Sequence, residues 1–93
     1  MTILEESWVL SPAVALRPEP FGALAYHFDN RRLTFLKTPA LVAVVRALGE
    51  HDTVGAALER AGVPAAQHAA YADALEGLAL TDMIRPQRQE AIA

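Results

Sequence analysis

Cysteine is absent from this chain of 93 residues. Its absence excludes disulfides, thiolate metal sites and thiol catalysis, and it suits a cytoplasmic protein. Long apolar runs are missing as well. The longest clean one, Ala40 to Val45, falls far short of the roughly 20 residues that cross a bilayer, so no membrane partner is expected. Positive charge is scarce: eight Lys and Arg against eleven Asp and Glu leave a net charge of −3. Long-range attraction to nucleic acid or anionic lipid is therefore not expected. The opening residues Met1-Thr2-Ile3-Leu4-Glu5-Glu6 are acidic where a secretory signal is basic.

The residues of common catalytic sites are present but not assembled. The five glycines sit at turns and helix ends, apart from Gly55 and Gly77, and never cluster as in a phosphate-binding loop. His27, His51 and His68 lack a second histidine or carboxylate at metal-ligand spacing, which favours solvated or partly packed histidines over ligands. His51 and Asp52 are neighbours, and adjacent residues rarely share a ligand direction. The acids are scattered, so paired-carboxylate catalysis has no support. Ser7 and Ser11 have no evident base. The expectation is a protein that is not an enzyme, with no cofactor and no metal.

What the chain does have is an order of patterns. A composition that is 53% hydrophobic and 20% charged is too apolar for disorder, and the length suits one domain. Residues 1–12 read as an arm whose Trp8, Val9 and Leu10 dock on the body. Residues 13–85 read as the domain, and 86–93 as a tail. Ala13 to Arg17 suits a short strand, and the prolines of Pro18-Glu19-Pro20-Phe21-Gly22 mark a bend. From Ala23 to Asp29 the residues alternate, with Leu24, Tyr26 and Phe28 on one face and Ala25 and His27 on the other. Asp29-Asn30-Arg31 supplies turn residues that tolerate positive φ. Arg32 to Leu36 resumes the alternation, Leu33 and Phe35 opposite Arg32 and Thr34. This predicts a two- or three-stranded antiparallel meander.

Three helical segments follow. Thr38 suits an N-cap and Pro39 a first helical residue. Leu41, Val44, Val45 and Leu48 then share one face, and Gly49 suits a C′ stop. Thr53 caps a second segment with Val54, Ala57, Leu58 and Ala61 on its apolar side and Gly62 at its end. Pro64 opens a third, in which Tyr71, Leu75 and Leu78 share a face. Leu80 falls on the wrong side of a regular helix, beside Asp73 and Glu76, so either the helix ends there or Leu80 meets a partner. Met83 and Ile84 are expected to return to the core. Three helices invite comparison with winged-helix DNA-binding domains. Against that reading, the strands come first, the third helix holds no Lys or Arg, and the net charge is negative.

A short meander leaves unpaired N–H and C=O groups on its outer strands. The first strand sits beside prolines, whereas Arg32 to Leu36 has none. An extended peptide can add itself to such an edge, and Arg31, Arg32 and Lys37 form a basic rim that suits an acidic peptide. A proline at Thr34 removes an edge donor if that N–H faces outward. The plainer reading is that these are solvated turn charges protecting an ordinary edge, and that Tyr71 and Leu75 are core. A third reading is an oligomerisation module, a homodimer formed by edge pairing or strand swap.

The run Val14-Ala15-Leu16-Arg17-Pro18-Glu19-Pro20-Phe21-Gly22-Ala23-Leu24, with Tyr26-His27-Phe28 and Arg31-Arg32-Leu33-Thr34-Phe35-Leu36-Lys37-Thr38-Pro39-Ala40-Leu41, resembles the precursor-peptide recognition elements of ribosomal-peptide natural-product pathways. Among them it is most similar to the peptide chaperones of mycofactocin biosynthesis, themselves similar to those of the pyrroloquinoline quinone pathway. The resemblance covers roughly residues 8–85. It implies an α+β fold, a three-stranded antiparallel sheet followed by three helices in winged-helix-like style. It implies a non-catalytic chaperone that binds the leader of a precursor peptide as an added strand and presents it to a radical S-adenosylmethionine maturase. That enzyme decarboxylates and crosslinks the peptide's C-terminal Val-Tyr, and the iron–sulfur clusters are its own. Carried over, the peptide-binding residues are Arg31, Arg32, Leu33, Thr34, Phe35 and Leu36 on the strand and its turn, and His68, Tyr71, Ala72 and Leu75 on the third helix.

Overall fold

The structure, a computed structural model, describes residues 3–87. A 3₁₀ turn at Ile3–Glu5 leads into β1 (Trp8–Leu10), then β2 (Val14–Glu19), β3 (Gly22–His27) and β4 (Leu33–Leu36). The helices are α1 (Pro39–Ala47), α2 (Val54–Arg60) and α3 (His68–Leu80), and β5 (Ile84–Pro86) closes the described chain. Strands β2, β3 and β4 form the antiparallel meander in that order. A second, two-stranded sheet pairs β1 with β5, Trp8 opposite Pro86 and Leu10 opposite Ile84. The fold is thus α+β, as its pattern implies, with one sheet more than the periodicity predicts. Three-residue strands carry too little alternation to be seen locally. The extra sheet also draws Pro86 and Gln87 out of the predicted tail: the Gln87 N–H donates to the Ser7 carbonyl at 2.9 Å. Residues 88–93 lie outside the described residues.

The predicted N-caps are those found. The Thr38 hydroxyl accepts from the Leu41 N–H and the Thr53 hydroxyl from the Ala56 N–H, both at 3.1 Å, and Pro39 is the first residue of α1. Gly62, at φ 82°, ends α2. Its N–H bonds the Glu59 carbonyl and the Val63 N–H the Leu58 carbonyl, the paired bonds of a Schellman ending. The end of α3 repeats them, Asp82 to Ala79 and Met83 to Leu78, with an aspartate at φ 62° in the glycine position. Gly49 departs from expectation. The chain continues past α1 through a 3₁₀ turn at Leu48–Glu50, and Gly49 is needed there for space, because a β-carbon would lie 2.9 Å from the Val9 side chain.

The alternation along β3 is as read, and its small side faces inward. Ala23, Ala25 and His27 are buried, while Leu24 and Tyr26 are half-buried and Phe28 is exposed. Leu36 of β4 is buried, with Leu33 and Phe35 exposed. The cause is close approach. The core is filled from the helices by Val44, Val45, Leu48, Val54, Leu58, Leu75 and Leu78, which leaves room only for alanine at positions 23 and 25 of β3. Gly22 shows the same pressure at the corner from β4 into α1: a β-carbon there would collide with the Leu36 carbonyl oxygen.

Pro18 lies inside β2 rather than in the bend, opposite Ala23. The Phe28 N–H donates to the Ala13 carbonyl at 2.8 Å. Alternation from that bonded pair puts Ala15, Arg17 and Glu19 in the ladder and the Pro18 nitrogen on the outer edge. Its missing donor therefore costs no ladder bond and blunts that edge.

Gly22→Ala should lower stability by about 1–3 kcal/mol, as overpacked sites do. Gly77→Ala should raise it by about 0.5–1 kcal/mol, since nothing lies within 4 Å of the β-carbon there. Urea titrations of the two variants check both signs.

Candidate functional site: the β4 edge and its clamp

Among the described residues no strand pairs with the outer side of β4. The ladder decides which groups that side offers. The His27 N–H donates to the Arg32 carbonyl at 3.0 Å, and the register continues with Ala25 opposite Thr34 and Ala23 opposite Leu36. Bonded and non-bonded pairs alternate in an antiparallel ladder. Thr34 and Leu36 therefore spend their backbone groups on β3, while the N–H and C=O of Leu33 and Phe35 point outward. Proline at Thr34 would cut the sheet itself, and Phe35 is the position that tests the edge.

The turn that launches β4 is built around His27, buried with 1% of its surface exposed. Its Nδ1 accepts from the Asp29 N–H at 3.1 Å and the Asn30 N–H at 3.2 Å. A backbone N–H can only donate, so Nδ1 carries no proton and Nε2 holds the hydrogen. Nε2 lies 2.8 Å from Asp82 Oδ2. The Asn30 side chain completes the clamp, accepting from the Arg32 N–H at 2.9 Å and donating to the Thr81 carbonyl at 3.0 Å. The turn is thus tied twice to the C-terminal end of α3. The strand histidine, expected to be solvated or partly packed, is a fully partnered structural centre.

The Asp82 carboxyl is held below its ordinary value, chiefly by the hydrogen bond from His27 and further by the Arg85 guanidinium at 3.4 Å. A depressed carboxyl contributes its stability in full above the unfolded value of about 3.9 and loses it as the pH falls through the folded value.

At the C-terminal end of β4 the chain turns into α1 and lines a pocket of about 190 Å³ with Thr38, Leu41, Ala70, Tyr71 and Ala74. Alanines on both sides of Tyr71 leave the space that larger residues would fill. Of the residues named from the sequence, Arg31, Arg32, Leu33 and Phe35 are exposed around the edge, Thr34 is half-buried and Leu36 is buried. Tyr71 lines the pocket. Ala72 and Leu75 belong to the core, and the His68 ring bonds the Val63 carbonyl at 3.0 Å, so these three are not part of its lining. Thr38, Leu41, Ala70 and Ala74 were not anticipated. Thr38 and Leu41 already had roles as cap and core, and the pair of alanines flanking an aromatic was the one available signal.

The outward face of the meander is apolar toward β4 and carries the Arg17–Glu19 ion pair on β2. Phe21, Phe28, Leu33 and Phe35 are each at least 42% exposed. Phe21 meets Phe35 edge to face at 5.6 Å, and Tyr26 meets Phe28 at 5.2 Å. Patches of this kind mark interaction surfaces. Arg31, Arg32 and Lys37 rim the edge, and none has a carboxylate within 4.0 Å among the described residues. No group of three potential metal ligands occurs among the described residues, and none of their helices is long and apolar enough to cross a membrane.

Comparison with known proteins agrees in kind. The model of the Peptide chaperone MftB family matches residues 7–85. The peptide chaperone MftB of Mycobacterium ulcerans is 48% identical over 86 residues, 92% of this chain and 79% of that protein. Its counterpart in Mycolicibacterium smegmatis is 48% identical over 84 residues, 90% of this chain and 82% of the relative. That of Mycobacterium tuberculosis is 43% identical over 84 residues, 90% and 77% of the two chains. No solved structure matches the chain.

Asp82→Asn keeps a residue that tolerates positive φ and removes the titrating carboxyl. Its urea midpoint should fall less between pH 7 and pH 3 than that of the unchanged protein. Equal falls would show that the carboxylate contributes nothing to acid stability.

Proposed function

The chain belongs to the peptide chaperone MftB family, and from that premise we propose that it binds the leader of a precursor peptide as a fourth strand on the outer edge of β4 and presents the peptide to a radical S-adenosylmethionine maturase in the cytoplasm. The observation that carries this reading is the pair of unspent backbone positions, Leu33 and Phe35, on the only edge of the meander that lacks a proline.

The chemistry of the reading is simple. An added strand bonds the N–H and C=O of Leu33 and Phe35, which supplies affinity without regard to sequence. Its side chains alternate. One set lies toward α3, where Leu41, Ala70, Tyr71 and Ala74 shape the pocket. The other lies on the outward face beside Leu33 and Phe35. Arg31, Arg32 and Lys37 draw acidic leader residues to the rim and speed the encounter. His27 and Asn30 act as positioning residues, because they set the turn from which β4 starts. Holding one end of the peptide gives the other end a high effective concentration at the maturase. No residue of this chain takes part in bond making.

Self-pairing through the same edge, favoured by the exposed aromatics of the sheet, is the second reading. It gives a mass that rises with concentration and falls on adding leader.

Isothermal titration with the leader tests the proposal. Phe35→Pro removes one outward donor and spares the ladder to β3, so it should weaken binding by about tenfold, one to two hydrogen bonds' worth, with the circular dichroism unchanged. Ala74→Phe fills the pocket and should weaken binding comparably. Arg31→Glu with Arg32→Glu should weaken it most at low salt. Unchanged affinity in both Phe35→Pro and Ala74→Phe would remove the strand-addition reading.

A further inference from the structure

Leu80 is the most exposed large apolar residue described, at 89%. The helix does not end before it, because α3 runs through Leu80. Nor does it stand alone. With Ile3, Glu6, Trp8, Glu76 and Ala79 it lines a cleft of about 390 Å³, roughly twice the volume of the pocket beside β4. The floor is apolar. The rim is acidic: no Lys or Arg is among the lining residues, and Glu76 has no ion-pair partner among the described residues. The Trp8 indole N–H donates to Glu6 Oε1 at 2.8 Å, which orients both side chains at the mouth.

Helical periodicity separates this cleft from the leader pocket. Ala72, Leu75 and Leu78 form the buried stripe of α3. At 3.6 residues per turn, Ala70, Tyr71 and Ala74 fall on one flank of that stripe, and Glu76, Ala79 and Leu80 fall on the other. A ligand in the cleft therefore does not compete with a peptide on β4. The two regions also differ in charge, since Arg31, Arg32 and Lys37 rim the edge while Glu6 and Glu76 are the charged residues lining the cleft.

We propose that this cleft is the docking site for the maturase, which would insert an apolar side chain against Trp8, Ala79 and Leu80 and set an adjacent lysine or arginine against Glu6 and Glu76. Charge complementarity sets the chemistry of the occupant. An acidic rim around an apolar floor favours a basic and apolar segment and disfavours an acidic peptide. The inference rests on the proposed function for the identity of that occupant. It adds that delivery uses both flanks of α3, with the leader on one and the enzyme on the other.

The test uses the full chain, the maturase and the leader peptide. Trp8 is the only tryptophan, so incorporating 5-fluorotryptophan gives a single ¹⁹F resonance inside the cleft. Maturase should shift or broaden that resonance and leader alone should not. Leu80→Asp and Glu76→Lys should each reduce maturase affinity by about tenfold or more, with the loss for Glu76→Lys shrinking at high salt. Leader affinity should stay level in both, which also shows that the variants are folded. Unchanged maturase affinity in both variants, or no affinity in the unaltered chain, overturns the docking site. So does a Trp8 resonance that moves on self-association, or on removing residues 88–93 alone, since the cleft then belongs to a second copy or to the chain's own end. Failure of the leader to bind β4, with maturase binding still sensitive to Leu80, would remove the strand-addition reading and leave the cleft in place.

Discussion

His27 holds three parts of the chain at one point. Its backbone closes the turn between β3 and β4, its Nδ1 gathers two N–H groups of that turn, and its Nε2 reaches the residue that ends α3. A buried imidazole left unpartnered would be costly. Here every polar atom of the ring is satisfied, and the turn and helix end are fixed relative to each other as a result. The edge strand and the helix that flanks its groove thereby share a reference. Asp82 adopts left-handed φ, which aspartate tolerates better than most side chains, and its carboxylate gains two partners in that position.

The second constraint is the distance between sheet and helices. Alanine at positions 23 and 25 and glycine at 22 let α1 and the core residues come close to β3. The consequence is a sheet with Leu24, Tyr26, Leu33 and Phe35 on its outer side, while Val14 and Leu36 are its buried large apolar residues. An ordinary half-buried strand puts its large residues inward. This inversion costs the burial of several aromatic side chains. It leaves an apolar surface beside an unpaired edge, which suits an element whose role is to receive another chain.

The third is the amphipathic division of α3. Its buried stripe is narrow, so two flanks remain available. Small residues around Tyr71 open one flank into a pocket, and Glu76, Ala79 and Leu80 with the β1 arm shape the other. The two-stranded β1–β5 sheet makes the second region possible, since it pins Trp8 and Glu6 close to the end of the helix. A domain with little interior thus presents two separate recessed surfaces without added length.

Local chemistry alone determined the helices and the meander. Thr38-Pro39 and Thr53 act through bonds within four residues, Gly62 through its own φ, and the strands through period-two alternation, so all of them were legible without tertiary information. The direction of the sheet faces was not, because alternation separates two faces and says nothing of which one the helices cover. His27 looked like an ordinary strand histidine because its partner lies 55 residues away. The β1–β5 pairing was invisible for the same reason, each strand being too short to show a period. Leu80 was legible as an anomaly of periodicity, and only the arrival of Ile3, Glu6 and Trp8 from the other end of the chain gave it a cleft. Short-range bonds are written in neighbouring residues, whereas faces, edges and pockets depend on which distant surfaces come close, and packing alone decides that.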